Sequence, residues 1–446
     1  MTQAPMMAAR PRLLWAGALG ISLFLSIFAT LRGGYIGPDY YTHFNRLTEW
    51  RQVFEFSTTG PPIYYLLGHA LFRFIGSNNA FPITLSILQA ATNAVALWYF
   101  FRYTEPRFQA RLIHSALVLF LTFLPVRIIH AVTLGADCLT LPCFVLVLFA
   151  FDKFLKNKSA TLKNAALVGL ALGLAVWVKY SFMGLIPAIF VLLIWCWTKS
   201  RWPINRFVAI CLLSLMLPTA LAFYSWRATT RVRSYYTQLL WLPAGIEADM
   251  NFKDLLFVKK NDLQLFTAPE YFKKQILAAH KHSYMGLMHL GVFTDTMNLF
   301  QVLTVPQRFG SIMIPDQKIR RPWKTYVMRA SMSLGVLWTI LALIGTPWIL
   351  VRGLKNLWRD KLEREDAAIF FGVAYFLLMF LPIPFVYNGN LFGFWTPRLI
   401  LPSLLCFFLA AFLLIDRKIA AKSRLIAPAI FGLVIIQCAI EVVMLA

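Results

Sequence analysis

Long apolar runs separated by short polar segments make up most of the 446-residue chain. Each run approaches the ~20 residues that a helix needs to cross a bilayer. The pattern predicts an all-α polytopic membrane protein with about eleven transmembrane helices. We place them near residues 13–31, 81–101, 112–133, 138–152, 164–181, 183–198, 206–226, 330–351, 367–386, 399–415 and 425–446.

One apolar segment differs from the others. "PPIYYLLGHALFRFIG", residues 61–76, is short for a span and is amphipathic. Its apolar positions are spaced as on one side of a helix, whereas Tyr65, His69 and Arg73 form a polar stripe on the other. Such a helix is predicted to lie in the membrane interface and not to cross it.

The distribution of basic residues predicts the orientation. With the N-terminus in the cytoplasm, the cytoplasmic segments hold 21 Lys and Arg residues and the short segments opposite hold seven. This excess follows the positive-inside rule. It also accounts for the net charge of +24, because the basic residues lie in loops between apolar runs and form no nucleic-acid patch.

Composition agrees with this class of protein. A mean hydropathy of +0.64 with 14% charged residues excludes an ordinary soluble domain. The six cysteines lie within or beside apolar runs and show no metal-ligand spacing. We expect an integral multi-pass membrane protein.

The loops divide the chain into three parts. An N-terminal membrane module, residues 1–226, includes a first exoplasmic loop at 32–80 with surface helices starting near Asp39 and at Pro61. Residues 227–329 form a large exoplasmic loop, and residues 330–446 hold the last membrane helices. Two large loops on one face could build a roof over a cavity.

Candidate chemistry begins in "GPDYYTHFNRLTEW", residues 37–50. Asp39 and His43 are four residues apart and share a helix face. A carboxylate held near a histidine at the membrane surface could take a proton from an incoming hydroxyl. Asp39 could equally cap the helix that follows Pro38, and the two roles are compatible.

Further charged residues lie at the ends of apolar runs. Asp137 stands between two runs with almost no loop, where an acid is costly unless it is paired, capping or functional. Arg127 and His130 precede it closely enough to share its charge. Lys179 and Arg398 lie on the exoplasmic side, at the end of one run and the start of another, and either could bind a lipid phosphate. Snorkelling is the alternative for Lys179.

No metal, nucleotide or nucleophile motif is apparent. The spacing of His280, His282, His289 and Asp295 is not a metal signature, so no metal ligand and no certain cofactor are predicted, and a divalent metal is left open. A phosphate-binding glycine-rich loop, a nucleophile elbow and HExxH are all missing from the sequence.

The pattern resembles the polytopic glycosyltransferases of the GT-C superfamily, especially bacterial relatives of protein mannosyltransferases and the lipid A aminoarabinose transferase. Four stretches carry the resemblance: "GPDYYTHF" with Asp39, "PPIYYLLGHALFRFIG", "GLALGLAVWVKY" ending near Lys179, and "PRLILP" with Arg398. They cover roughly residues 13–200 and the region around 390–415.

The resemblance implies sugar transfer from a polyprenyl-phosphate donor to a glycan, lipid or protein acceptor on the exoplasmic face of a bacterial inner membrane. It implies that Asp39 acts as the catalytic base or next to it, and that Asp137 is a second acid. On this basis we predict that His43 orients Asp39 or binds the phosphate, and that Lys179, Arg398 and Arg127 bind the donor phosphate. One departure is that many relatives have Asp-Glu in the first loop, whereas Tyr40 follows Asp39 here. A lipid-linked sugar flippase or transporter, or an inactive scaffold subunit of a membrane complex, remains the alternative.

Overall fold

The computed structural model describes residues 4–33, 40–53, 62–156, 161–236, 284–294, 322–359, 364–380 and 400–445. Within these ranges the regular structure is helical. The α-helices are α1 (Ala4–Leu31), α2 (Tyr40–Thr48), α3 (Trp50–Val53), α4 (Ile63–Ile75), α5 (Ala80–Thr104), α6 (Arg111–Phe123), α7 (Pro125–Val132), α8 (Thr140–Lys156), α9 (Leu162–Val178), α10 (Leu185–Ser200), α11 (Ile204–Tyr236), α12 (Tyr284–Phe293), α13 (Pro322–Trp358), α14 (Arg364–Phe380), α15 (Leu401–Leu414) and α16 (Ile426–Leu445).

The all-α polytopic membrane fold is confirmed. Each of the eleven predicted runs coincides with helical structure in the described part of the chain. Seven helices there are long and apolar enough to cross a membrane, and the bent pair α6–α7 makes eight. The count of eleven stays a prediction, because α9, α14 and α15 have only 17, 17 and 14 residues.

Helices α1 and α5 run antiparallel and are joined near both ends. Arg12 forms an ion pair with Glu105 at 3.5 Å, and the hydroxyl of Thr30 lies 2.8 Å from that of Ser86. The chain therefore leaves α1 and enters α5 at the same level. Helix α4, between them, has 13 residues and a length of about 20 Å. This geometry supports the interfacial placement of α4.

The polar side of α4 faces the protein and its apolar side faces outward, which is the reverse of an amphipathic helix on a soluble protein. Tyr65 and His69, from its polar stripe, face the protein, where the His69 ring bonds to the carbonyl of Leu47 at 3.0 Å. On the opposite side Leu67 is 62% exposed and Phe74 is 89% exposed. An outward apolar face suits a helix that lies on the hydrocarbon boundary.

Segments predicted to lie in the cytoplasm contact each other. Asp416 accepts hydrogen bonds from the backbone N–H groups of Gln109 and Ala110 at 2.8 and 2.9 Å. Arg417 donates to the carbonyl of Arg107 at 3.2 Å. These contacts place the α5–α6 and α15–α16 connections on one side of the bundle, as the charge pattern predicts. The orientation of that side toward the cytoplasm remains a prediction.

Small residues allow two membrane helices to approach closely. Gly169 and Gly173 of α9 are one turn apart and face α11. A Cβ atom at Gly169 would overlap the backbone carbonyl of Leu213, so only glycine fits this crossing. The stretch "GLALGLA" is thus a small-xxx-small packing surface.

Helix α12 comes from the segment that the sequence analysis assigned to the large exoplasmic loop. It packs into the bundle, with the Phe293 ring 2.7 Å from where a Cβ of Gly335 would lie. The His289 ring donates to the carbonyl of Met332 and bonds to the Thr339 hydroxyl, at 3.0 and 2.9 Å. Residues 237–283 and 295–321 of that segment lie outside the described residues.

Candidate active site

The chain segment before the candidate site is a membrane span that is broken into two helices. The predicted helix 112–133 is two helices, α6 and α7, which meet at Leu124 with a bend of 47°. Pro125 opens α7 and has no N–H for the helix ladder, so the last carbonyls of α6 need other partners. Arg127 donates to one of them, that of Thr122, and to the hydroxyl of Ser22.

These contacts define the position of Arg127. Its side chain is 2% exposed and its guanidinium lies at the C-terminal end of α6, where a cation suits the helix dipole. Among the described residues, no carboxylate lies within ion-pair distance of it. Arg127 thus provides a hydrogen-bond donor for a backbone carbonyl at the break between α6 and α7. Its role at a donor phosphate stays a prediction.

The segment after α7 carries Asp137. It continues through Gly135 into a short 3₁₀ turn, Ala136–Leu139, and then into α8. The backbone of Gly135 has φ 154° and ψ 156°, a conformation essentially limited to glycine. Thr140, at the start of α8, donates to the carbonyl of Asp137 at 2.7 Å.

Asp137 forms an ion pair with Lys179. The carboxylate and the ammonium come from different parts of the chain, and their side chains are 14% and 18% exposed. The sequence analysis named both residues and placed Arg127 and His130 close enough to share the charge of Asp137. The structure pairs the predicted acid Asp137 with the predicted phosphate ligand Lys179. A part for His130 in this charge cluster stays a prediction.

Hydroxyl groups border this pair. Lys179 is the extended residue between α9 and the 3₁₀ turn Tyr180–Gly184, and Ser181 of that turn bonds to the hydroxyl of Tyr375 on α14. The Tyr375 ring packs edge-on against Phe182 at 5.2 Å. The turn after α9 is therefore fixed to α14 directly beside Lys179.

His43 lies against the segment that carries Asp137. Its Nδ1 shares a 2.7 Å hydrogen bond with the Tyr65 hydroxyl, and the two rings stack. Its Nε2 would lie 3.0 Å from a Cβ added to Gly135. The structure thus brings together two of the predicted site regions, the first exoplasmic loop and the Asp137 segment.

Arg46 fixes the other side of Tyr65. Its guanidinium carbon lies 3.7 Å from the centroid of the Tyr65 ring, and it donates to the carbonyls of Gln52 and Val53 at 3.1 and 3.3 Å. Arg46 is 2% exposed. The histidine and arginine that follow Asp39 in the sequence thus hold α2 to α3 and α4.

Tyr64 contributes a contact that the sequence analysis did not predict. Its hydroxyl accepts the backbone N–H of Gly135 at 3.0 Å and the side-chain amide of Gln89 at 2.7 Å. Burial raises the pKa of Tyr64 well above its ordinary value, so the hydroxyl stays neutral. A neutral acceptor is suited to holding a backbone N–H group.

Two predicted site residues, Asp39 and Arg398, lie outside the described residues, and their roles stay predictions. In the ranges that the structure does describe, no three His, Cys, Asp or Glu side chains are grouped so as to hold a metal ion.

Comparison with solved structures finds proteins of similar fold. The chain is similar to the crystal structure of the Archaeoglobus fulgidus oligosaccharyltransferase in its apo form, with a TM-score of 0.48 and 11% sequence identity. The match covers 96% of this chain and 56% of that one. No protein-family model matches the sequence, and no curated protein matches it.

The described residues offer two kinds of chemistry at one place. An ammonium group at the end of a membrane helix can bind a phosphate oxygen, with a carboxylate to orient it. A partly exposed carboxylate can accept a proton from a hydroxyl. Both groups lie near helices α2 to α4.

Proposed function

We propose that the protein is an integral membrane glycosyltransferase that moves a sugar from a polyprenyl-phosphate donor to an acceptor on the exoplasmic face. The observation that carries this proposal is the Asp137–Lys179 pair beside the α2–α4 surface helices. The acceptor is a glycan, lipid or protein, and the N-terminus lies in the cytoplasm.

The proposed reaction needs a carboxylate that acts as a base and a cation. The acceptor hydroxyl oxygen attacks the anomeric carbon, its proton passes to a carboxylate, and the bond from that carbon to the phosphate oxygen breaks. Asp39 is the proposed base, and Asp137 is the second acid. Lys179 stabilises the negative charge that develops on the leaving phosphate, together with Arg398.

Pairing with Asp137 does not prevent Lys179 from binding phosphate. A lysine ammonium has three N–H donors, so one can face Asp137 while another faces a phosphate oxygen. Asp137 would then hold the ammonium in place before the donor arrives. A preorganised charge of this kind costs little reorganisation when the leaving group forms.

A transporter of lipid-linked sugars is the second candidate function. The break at Leu124 is the observation that favours it, because discontinuous membrane helices line the binding sites of many transporters. An inactive scaffold subunit is a third alternative. The Asp137–Lys179 pair lies beside surface helices and not within the break, which favours the enzyme.

The test uses purified protein in proteoliposomes with radiolabelled polyprenyl-phosphate sugars. Release of polyprenyl phosphate together with a labelled acceptor supports the enzyme. Movement of intact labelled donor across the bilayer without bond cleavage supports the transporter. If neither event occurs in protein that shows a cooperative thermal transition and is therefore folded, the result supports the scaffold and contradicts the proposal.

A further inference from the structure

Three polar side chains form a stripe on α5, an otherwise largely apolar helix. Ser86, Gln89 and Asn93 follow one face at i, i+3 and i+7 and are 0%, 3% and 1% exposed. Polar groups at such depth in a membrane protein are costly unless they are hydrogen-bonded. Their contacts therefore indicate what the stripe does.

Two members of the stripe bind the ends of the segment that carries Asp137. The Ser86 hydroxyl donates to the carbonyl of Val132, the last residue of α7, at 2.7 Å. The Asn93 amide donates to the carbonyl of Cys138 at 2.8 Å. Cys138 follows Asp137 directly, so Asn93 holds the backbone next to that carboxylate.

The third member acts through Tyr64. The Gln89 amide donates to the Tyr64 hydroxyl, which also accepts the N–H of Gly135. The segment is thus fixed at residues 132, 135 and 138, every three residues. A buried backbone outside a helix must find partners of this kind, because water does not reach it.

We propose that Asn93 is a positioning residue for Asp137, with Ser86 and the Gln89–Tyr64 pair completing the support. The inference rests on the proposed function, in which Asp137 holds the Lys179 ammonium toward the charge that develops on the leaving phosphate in the transition state. Without Asn93, the carbonyl of Cys138 loses its partner and the Asp137 carboxylate moves with the backbone. A displacement of about 1 Å at a reacting group can cost roughly 10²-fold in rate.

The experiment compares Asn93→Ala with Thr92→Ala in the purified full-length protein. Thr92 is the matched control, because it directly precedes Asn93 on α5, is exposed, and bonds only within the helix, to the carbonyl of Leu88. The probe is a radiolabelled polyprenyl-phosphate sugar. Asn93→Ala should lower kcat about tenfold to a hundredfold and leave KM for the donor near its original value. Thr92→Ala should change neither.

A second readout does not depend on the reaction. Cys138 is 1% exposed, so its thiol should react slowly with N-ethylmaleimide, as measured by peptide mass spectrometry. In Asn93→Ala the segment should open and Cys138 should react at least about tenfold faster, while Cys143 on α8 stays protected. Tyr64→Phe, which releases the N–H of Gly135, should act in the same direction if Asn93→Ala fails to fold.

The outcomes separate this inference from the proposed function. If Cys138 is alkylated faster in Asn93→Ala but the unaltered protein has no transferase activity, Asn93 does fix the Asp137 segment and the proposed function is contradicted. Normal kcat with unchanged alkylation in Asn93→Ala and Tyr64→Phe would overturn the inference and leave the transferase intact. A rise in donor KM with kcat unchanged would also overturn it, because the effect would then lie in donor binding.

Discussion

Gly135→Ala should disturb the site through two effects that the structure separates. The backbone at this position has a φ of 154°, which costs a residue with a side chain about 1–3 kcal/mol. The new methyl group would also lie 3.0 Å from Nε2 of His43, closer than an ordinary van der Waals contact. Because 1.4 kcal/mol corresponds to a factor of ten, the strain alone could reduce the population of the native segment by roughly 5- to 150-fold.

Two other glycines provide controls. Gly76, which ends α4, has a φ of 68° and nothing within 4 Å of an added Cβ, so Gly76→Ala measures backbone strain without a contact. Gly20 on α1 has neither constraint, and Gly20→Ala should be neutral or slightly stabilising in a helix. The double variant Gly135→Ala/His43→Ala should regain the part of the stability loss that comes from the contact with His43. The part that comes from backbone strain should remain.

The assay is the thermal transition of each purified variant in detergent, followed by transfer rate. We expect the largest loss for Gly135→Ala, an intermediate loss for Gly76→Ala and little change for Gly20→Ala. If Gly135→Ala behaves like Gly20→Ala in both measurements, the segment does not have the backbone conformation or the His43 contact described above, and the reasoning is refuted.

Further predictions concern the ion pair, the helix crossing and the arrangement of α1 and α5. Asp137→Asn and Lys179→Met should each lower the thermal transition, and the double variant should lose less than the sum, because each single change leaves one charge unpaired; strict additivity would argue against the pair. Gly169→Leu should destabilise the α9–α11 crossing more than any other change proposed here, since its side chain would meet backbone; an unchanged transition would contradict that packing. Cysteines replacing Arg12 and Glu105 should be joined by a short bifunctional maleimide, detected by mass spectrometry, and failure to cross-link would place α1 and α5 differently.

Local sequence patterns predicted the helices well, because apolar runs and amphipathic periodicity are properties of neighbouring residues. The interfacial placement of α4 rested on its polar stripe, and the structure shows Tyr65 and His69 of that stripe facing α2. The break at Leu124 could have been anticipated from Pro125, which the sequence analysis placed within a single helix.

Long-range pairing was beyond the reach of the sequence pattern. Asp137 and Lys179 are 42 positions apart, and their ion pair depends on how α8 and α9 pack. The α5 stripe left a readable signal, because Ser86, Gln89 and Asn93 repeat on one face of an apolar run. Helix α12 gave no such signal in the sequence, because it is apolar on nearly every side and so has no periodic pattern of polar residues.

The most direct test of the account is a single-turnover measurement on Asp137→Asn, Lys179→Met and the unaltered protein with bound radiolabelled polyprenyl-phosphate sugar. The unaltered protein should cleave the donor and label an acceptor. Lys179→Met should bind the donor more weakly, because its charge faces the phosphate. Asp137→Asn should bind the donor but transfer about 10²-fold more slowly, because Lys179 then lacks the carboxylate that holds it toward the leaving phosphate. Transfer at the original rate by both variants would contradict the claim that this pair forms the active site.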